Sequence, residues 1–416
     1  MRVGHYDLDA SVEFPPVGLS PYAPGQLEVS ARLHIRNVNS EPCSAITLFL
    51  YRLFNVYAVT VDECEVGFEQ KITTVKGLER WHVNTVTISL PKSLKPGKEC
   101  CVSLKYRGLA AGAREVWPYI YDTVSRDYTL LRPDLLWYPV TDIFEQPMNE
   151  FTYALTVEVP TGYVAVAPGD CEKDGNFYHF RCNEPRWRLD LAIAQFDRTT
   201  LGNLTIYYLP GFEDWSKCAQ TWVARTLEGM ARRMGERIIK KLDIVQIPEW
   251  WGSQSSPGFI LQEARDENQW STAAKVIHEV CHFWTIEPSD WPNRFADESL
   301  AHYFQVVILD DIFGREIAKE NLDQYRQSLE KTPAVRKIGL LQGLDLGQVP
   351  MLGTLNRCKG PLALDNLRSR LGEGPFWQLM TEYVHQETGS VKDFVDLLRR
   401  RHPGSDTEEY LDRWYR

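Results

Sequence analysis

The sequence predicts a multidomain α+β chain, an N-terminal antiparallel β-sandwich followed by a mainly helical domain with a small mixed sheet, and three observations predict it. First, 416 residues at roughly 150 per domain make room for two or three domains, each with its own core. Second, the first two hundred residues alternate apolar and polar side chains in short segments such as LEVSARLHIRNV, HVNTVTISL, ECCVSLKY and FTYALTVEV, divided by Pro, Gly and Asn or Asp turns. Third, near residue 203 the period changes: from Asp214 to about Lys241, Trp222, Leu227, Met230, Met234 and Ile238 recur at helical spacing. The domain boundary is expected there, giving residues 1–203 as a sandwich or saddle and 204–416 as the second domain. Beyond the first helix, LDIVQIP reads as a short strand and GFILQEA as an edge strand, and a helix is expected to open at Ser271 or Thr272 as N-cap. The remainder is mainly helical, without an internal repeat.

Composition removes several function classes. Hydrophobic residues at 44% and charged residues at 25% are those of a folded soluble protein. With 46 basic against 56 acidic residues, the net charge of -10 has the wrong sign for gripping phosphate backbones, so nucleic acid is not expected as a partner. The opening MRVGHYDLDASVEF lacks the apolar core of a secretory signal, and no apolar run approaches the roughly 20 residues of a membrane span. Nine cysteines, an odd number without paired metal-type spacing, fit a reducing compartment and a cytoplasmic location. Oligomeric state leaves no trace in the sequence.

The chemistry concentrates in STAAKVIHEVCHFWTI, where His278, Glu279 and His282 stand in the order His-Glu-x-x-His. Four residues make about one helical turn, so both imidazoles project from one face and can share a metal ion, with Glu279 beside the remaining coordination position. As plain core residues, two histidines and a glutamate within an apolar helix would be a costly set of buried polar groups. After the turn PSDWPN, whose Pro292 is expected to open the next helix, RFADESLAHYFQVVIL places Glu298 early in an amphipathic helix. A carboxylate from a second helix would complete a two-His, one-Glu zinc site with a fourth position for water. Asp297, Glu287 and Asp290 compete for that role. His302, one turn past Glu298, reads as an alternative ligand, a supporting neighbour or a surface residue.

HEVCHFW followed by FADESLAHYF resembles the zinc core of the gluzincin aminopeptidase family, which includes alanyl aminopeptidases and leukotriene A4 hydrolase and whose second block usually reads LNEGFAxYF. The likeness runs along nearly the whole chain, through WYPVTDIFEQPMNEFTYALTVEVPTGYVAV, KKLDIVQIPEWWGSQSSPGFI and KGPLALDNLRSRLGEGPFWQLMTEYV. It implies a thermolysin-like catalytic domain and one zinc ion held by His278, His282 and Glu298. It also implies peptide hydrolysis, with Glu279 as the base for a zinc-activated water.

Three departures shape the expected specificity. Only 15 residues separate His282 from Glu298, where the family normally has 18. In place of the family's Gly-x-Met-Glu-Asn, whose Glu holds a substrate's α-amine, the chain has Gly252, Ser253, Gln254, Ser255 and Ser256, so Ser255 stands at the anchoring carboxylate. Either Glu263 reaches the amine, or no free amine is demanded; Gly252, Ser255, Gly258 and Glu263 are the candidate substrate-binding residues. In place of the family's Tyr-Glu-Lys-Gly stand Arg357, Cys358, Lys359 and Gly360, so Arg357 occupies the place of the oxyanion-stabilising tyrosine, as a substitute donor or as the mark of its loss. The expected activity is an atypical zinc metallopeptidase acting on peptides or peptide-like substrates. The alternative is a weakly active or inactive homologue that binds zinc and a peptide or protein partner. The 416-residue length, without the family's further C-terminal domains, adds the expectation of a more open cleft.

Overall fold

The computed structural model describes residues 1–18, 23–115, 120–143, 149–264, 269–290, 292–342, 349–386 and 388–416. They form two compact units. The first comprises Met1–Arg198, Tyr207–Gly211 and Pro248–Gly252, and the second Thr199–Ile206, Phe212–Ile247 and Ser253–Arg416, so the chain passes between units five times.

In the first unit an eight-stranded sheet runs in the order Asp170–Asp174, Phe177–Arg186, Phe151–Glu158, Arg2–Glu13, Gln26–Arg36, Glu99–Leu109, Phe54–Val61 and Cys64–Glu65. Two three-stranded sheets accompany it: Cys43–Tyr51, Leu78–Leu94 and Phe68–Val75 in one, Val164–Val166, Leu191–Ala194 and Thr129–Leu131 in the other. The period-2 pattern sets the buried face: Tyr6, Leu8, Ala10 and Val12 enter the core from the first strand, as alternation requires. One pairing departs from the antiparallel expectation. Arg2–Glu13 runs parallel to Phe151–Glu158, with His5 opposite Thr152 and Ser11 opposite Glu158. Parallel neighbours need a long crossover, and local alternation carries no information about which distant strand will fill the place.

The same unit buries an ion pair. Asp122 and Arg132 are both fully inaccessible; Oδ1 of Asp122 lies 2.8 Å from Nε and 2.6 Å from Nη2 of Arg132. Nη1 of Arg132 donates to the carbonyls of Trp251 at 2.6 Å and Gly252 at 3.0 Å.

A five-stranded sheet accompanies the helices of the second unit, in the order Asp197–Leu201, Leu204–Tyr208, Leu242–Ile247, Phe259–Glu263 and Gln254–Ser256. The fully buried Leu242–Ile247 is the strand expected from LDIVQIP. Phe259–Glu263 is an interior strand, not an edge: it lies between its parallel neighbour Leu242–Ile247 and the three-residue Gln254–Ser256, which forms the edge. A short apolar run does not reveal whether one or two strands flank it. The hairpin turns through Pro257 and Gly258, whose φ of +72° supplies the left-handed position of a Pro-Gly turn.

The helices described are α1 (Glu213–Met234), α2 (Gln269–Cys281), α3 (Leu300–Phe313), α4 (Arg315–Glu330), α5 (Pro333–Lys337), α6 (Val349–Thr354), α7 (Gly360–Leu371), α8 (Glu373–Val384), α9 (Val391–Arg401) and α10 (Ser405–Trp414). Helix α1 stops well before Lys241 because Gly235 takes a φ of +86°, and Ile238 lies outside it, 92% exposed. Helix α2 already includes Ser271 and Thr272 in its interior, so neither is its N-cap. Pro292 does not open the next helix; a π-helical turn, Phe295–Ser299, precedes α3. Nor is α3 two-faced: Leu300, Ala301 and all of Tyr303–Leu309 are buried. Such a helix belongs to the centre of its lobe.

Candidate metal centre

Helix α2 supplies the first residues of the site. Ala273, Ala274, Val276, Ile277, Val280 and Cys281 are buried, and the helix packs against α1, α3 and the hairpin strands. His278 and Glu279 are therefore carried inside with their apolar neighbours. His282 begins a 3₁₀ turn, His282–Trp284, which the Trp284 indole ties to the end of α1 by donating to the Gly235 carbonyl at 3.0 Å. The Nε2 atoms of His278 and His282 stand 3.2 Å apart.

The second helix contributes from its π-turn. Widened turns of this kind recur at functional sites, and this one carries Glu298 with its Oε2 3.6 Å from Nε2 of His278 and 3.6 Å from Nε2 of His302. Oε1 is taken by Nη1 of Arg294 at 2.9 Å. The donor atoms of His278, Glu298 and His302 all lie within 4.8 Å of one another; His282, expected as a ligand beside His278 and Glu298, is not part of that group and meets it only at His278. The competing carboxylates are engaged elsewhere. Asp297 accepts from Arg294 Nε at 2.9 Å and from the Glu298 amide at 2.7 Å, and Asp290 accepts from the Val391 amide at 3.1 Å. Glu287 lies in a two-residue strand paired with Thr388–Gly389.

Burial holds the imidazoles neutral. It depresses His278 well below the usual histidine range, reinforced by His302 and His282; it lowers His282 and brings His302 to about 3. For Glu298 burial opposes ionisation, yet Arg294 and then Arg357 outweigh it and hold the carboxyl well below its ordinary value. Neutral imidazoles beside an ionised carboxylate are the protonation states that metal ligation needs.

The donor set fits zinc. Nitrogen and oxygen ligands at 2.0–2.1 Å around a tetrahedral ion are about 3.3–3.4 Å from each other, close to the 3.2 and 3.6 Å separations here. Glu298 Oε2, the carboxylate oxygen that faces His278 and His302, has no hydrogen-bond partner among the described residues.

Arg357 lies in a second π-turn, Leu355–Lys359, with Nε 3.5 Å from Glu298 Oε2 and its side chain 57% exposed. The two π-turns meet closely. Ser299 Oγ donates to the Asn356 carbonyl at 2.7 Å, and a Cβ on Gly360 would collide with Ser299 Oγ and Cβ. Gly360→Ala should therefore cost about 1–3 kcal/mol by overpacking and, by displacing the residue next to Glu298, weaken metal uptake. Denaturant melts and a zinc titration would check this; an unchanged zinc affinity would separate the packing of Gly360 from the centre.

The candidate substrate residues do not form one group. Gly252, in the first unit, gives its carbonyl to Arg132. Gly258 makes the hairpin turn and has no room for a Cβ, which would come within 2.7 Å of the Lys241 carbonyl. Ser255 pairs with Ile260 on the edge strand, and its hydroxyl is buried without a partner among the described residues. Glu263 is buried, with its amide donating to Ser253 Oγ at 3.0 Å. Because Ser255 faces the side of Ile260 and successive strand residues alternate, Glu263 points to the opposite face and cannot take over the place of Ser255.

Sequence reasoning missed Arg294, which the i, i+4 spacing to Glu298 could have signalled, and Tyr325 of α4, whose hydroxyl lies 3.2 Å from His302 Nδ1. It also allowed His302 to be a surface residue, whereas the ring faces Glu298 and His278.

No protein-family model matches the sequence, and no curated protein matches it. Solved structures do. An M1 zinc metallopeptidase from Deinococcus radiodurans superposes with a TM-score of 0.74 over 99% of this chain and 93% of its own, at 19% identity. A mutant of that enzyme bound to a Tyr-Ser-Ala substrate gives 0.70 over the same shares, also at 19%. Leukotriene A4 hydrolase from Saccharomyces cerevisiae gives 0.72 at 17% identity, over 99% of this chain and 66% of its own. The chain has the metallopeptidase-like fold of these proteins; at such identities the likeness speaks for the fold alone.

Proposed function

We propose that the chain is a zinc metallopeptidase in which His278, His282 and Glu298 hold the metal. The observation that carries this reading is the cluster itself: the His278 imidazole stands 3.2 Å from that of His282 and 3.6 Å from the Glu298 carboxylate, beside a buried glutamate in the His-Glu-x-x-His spacing. When bound, zinc would supply a Lewis acid to polarise a scissile carbonyl and acidify a water. Glu279 would take a proton from the attacking water and pass it to the leaving amine. Arg294 keeps Glu298 ionised and oriented through Oε1. Arg357, whose exposed side chain lies 3.5 Å from the ligand carboxylate, would donate to the developing oxyanion in place of a tyrosine.

The fold shared with a peptidase crystallised with Tyr-Ser-Ala supports a peptide substrate. The hairpin supports a relaxed demand for a free amine, since among the described strand residues the face of Ser255 carries Ser253, Ile260 and Gln262, and no carboxylate. Metal analysis and a peptide-library digest read by mass spectrometry test the reading together. About one zinc per chain and cleavage both at and away from the N-terminus are expected. Full zinc occupancy with no cleavage, or tight binding of a peptide that is never cut, would establish the non-catalytic alternative instead. A cytoplasmic location belongs to the same proposal; among the described residues no helix is long and apolar enough to cross a membrane.

A further inference from the structure

Within the cluster, His302 is the residue that the three-ligand scheme leaves over. It sits one turn beyond Glu298, so both side chains leave α3 and its π-turn on the same side. Its Nε2 is as close to Glu298 Oε2, at 3.6 Å, as that of His278, and the two rings are 4.1 Å apart between centroids. The far side of the ring is fixed as well. Nδ1 faces the Tyr325 hydroxyl at 3.2 Å, a hydroxyl that accepts from Gln305 Nε2 at 3.2 Å; Gln305 in turn donates to Asn321 at 3.0 Å. In the tautomer that carries its proton on Nδ1, Tyr325 accepts that proton and the lone pair of His302 is left on Nε2, aimed at Glu298 and His278. Ligating histidines are typically oriented this way, by an acceptor on the second ring nitrogen.

From this we infer that His302 is a fourth protein ligand, so that the resting centre holds its metal with His278 and His282 from the first helix and Glu298 and His302 from the second. The inference rests on reading the cluster as a metal centre, and it goes beyond the three-ligand peptidase site. Four protein donors close a tetrahedral ion. His302 then governs how readily a position opens to solvent or substrate, and the Tyr325–Gln305–Asn321 chain governs how firmly His302 stays.

X-ray absorption at the zinc edge of the wild-type, zinc-loaded chain should count three imidazoles, falling to two in His302→Ala. Zinc affinity, measured against a chromophoric chelator, should weaken at least about 10-fold in that variant. In Tyr325→Phe, which removes only the acceptor of the positioning residue, it should weaken by less, with the count still three. Two imidazoles in the wild type, or an affinity untouched by His302→Ala, would overturn the fourth ligand. The outcomes separate the two readings: three imidazoles without peptide cleavage sinks the peptidase alone, cleavage with two imidazoles sinks the fourth ligand alone, and a chain that takes up no zinc sinks both.

Discussion

Glu279→Gln should lower kcat by about 10²- to 10⁴-fold while the bound zinc stays at its wild-type level. The exchange preserves the size and planarity of the side chain, and α2 is packed on apolar neighbours from Ala273 to Cys281, so fold and metal donors stay in place. What disappears is the proton acceptor, whose contribution in general-base catalysis spans that range. The position is 5% exposed, which leaves bulk water little opportunity to replace it. The check is a steady-state assay on the best peptide from the library, with zinc measured on the same preparations. A glutamine variant that retains activity within a few-fold would remove Glu279 from the chemistry; one that loses its zinc would show that the residue supports the centre instead.

The largest stability effect is expected at Asp122. Replacing it with Ala leaves the Arg132 guanidinium fully buried with its carboxylate gone, and breaking a buried pair from one side typically costs about 3–5 kcal/mol. The Asp122 carboxylate meets Arg132 at Nε and Nη2 and also accepts the backbone amide of Arg132 at 2.5 Å, so several charge-assisted bonds are lost together. Replacing both members, Asp122→Leu with Arg132→Met, should not recover the whole loss, because the Trp251 and Gly252 carbonyls lose their donor. Chemical denaturation of the three proteins measures this. If the double variant proved as stable as the wild type, the carbonyl contacts of Arg132 would carry no weight.

What the sequence disclosed was chemistry encoded within a few residues. The spacing of His278, Glu279 and His282 and the period-2 strands of the first unit are local patterns, and they locate both the cluster and the sheet. The parallel partnership of Arg2–Glu13 with Phe151–Glu158 is not local, nor is the interior position of Phe259–Glu263, whose edge is supplied by three residues beyond a turn. Helix ends were misjudged where backbone conformation overrode side-chain period, as at Gly235, after which Ile238 still sounds periodic yet meets only solvent. His302 was ambiguous for the same reason. Its spacing from Glu298 was visible, but the hydroxyl that orients it comes from α4, 23 residues later in the chain.

The five passages of the chain between the compact units have a consequence for ancestry as well as for folding. Units that are single stretches of gene can be cut apart, duplicated or fused to new neighbours. Here the first unit owns Pro248–Gly252, a segment lying between stretches of the second, and its buried Arg132 finds two of its acceptors there. No single breakpoint yields two intact bodies, so recombination can transmit this pair of lobes only together.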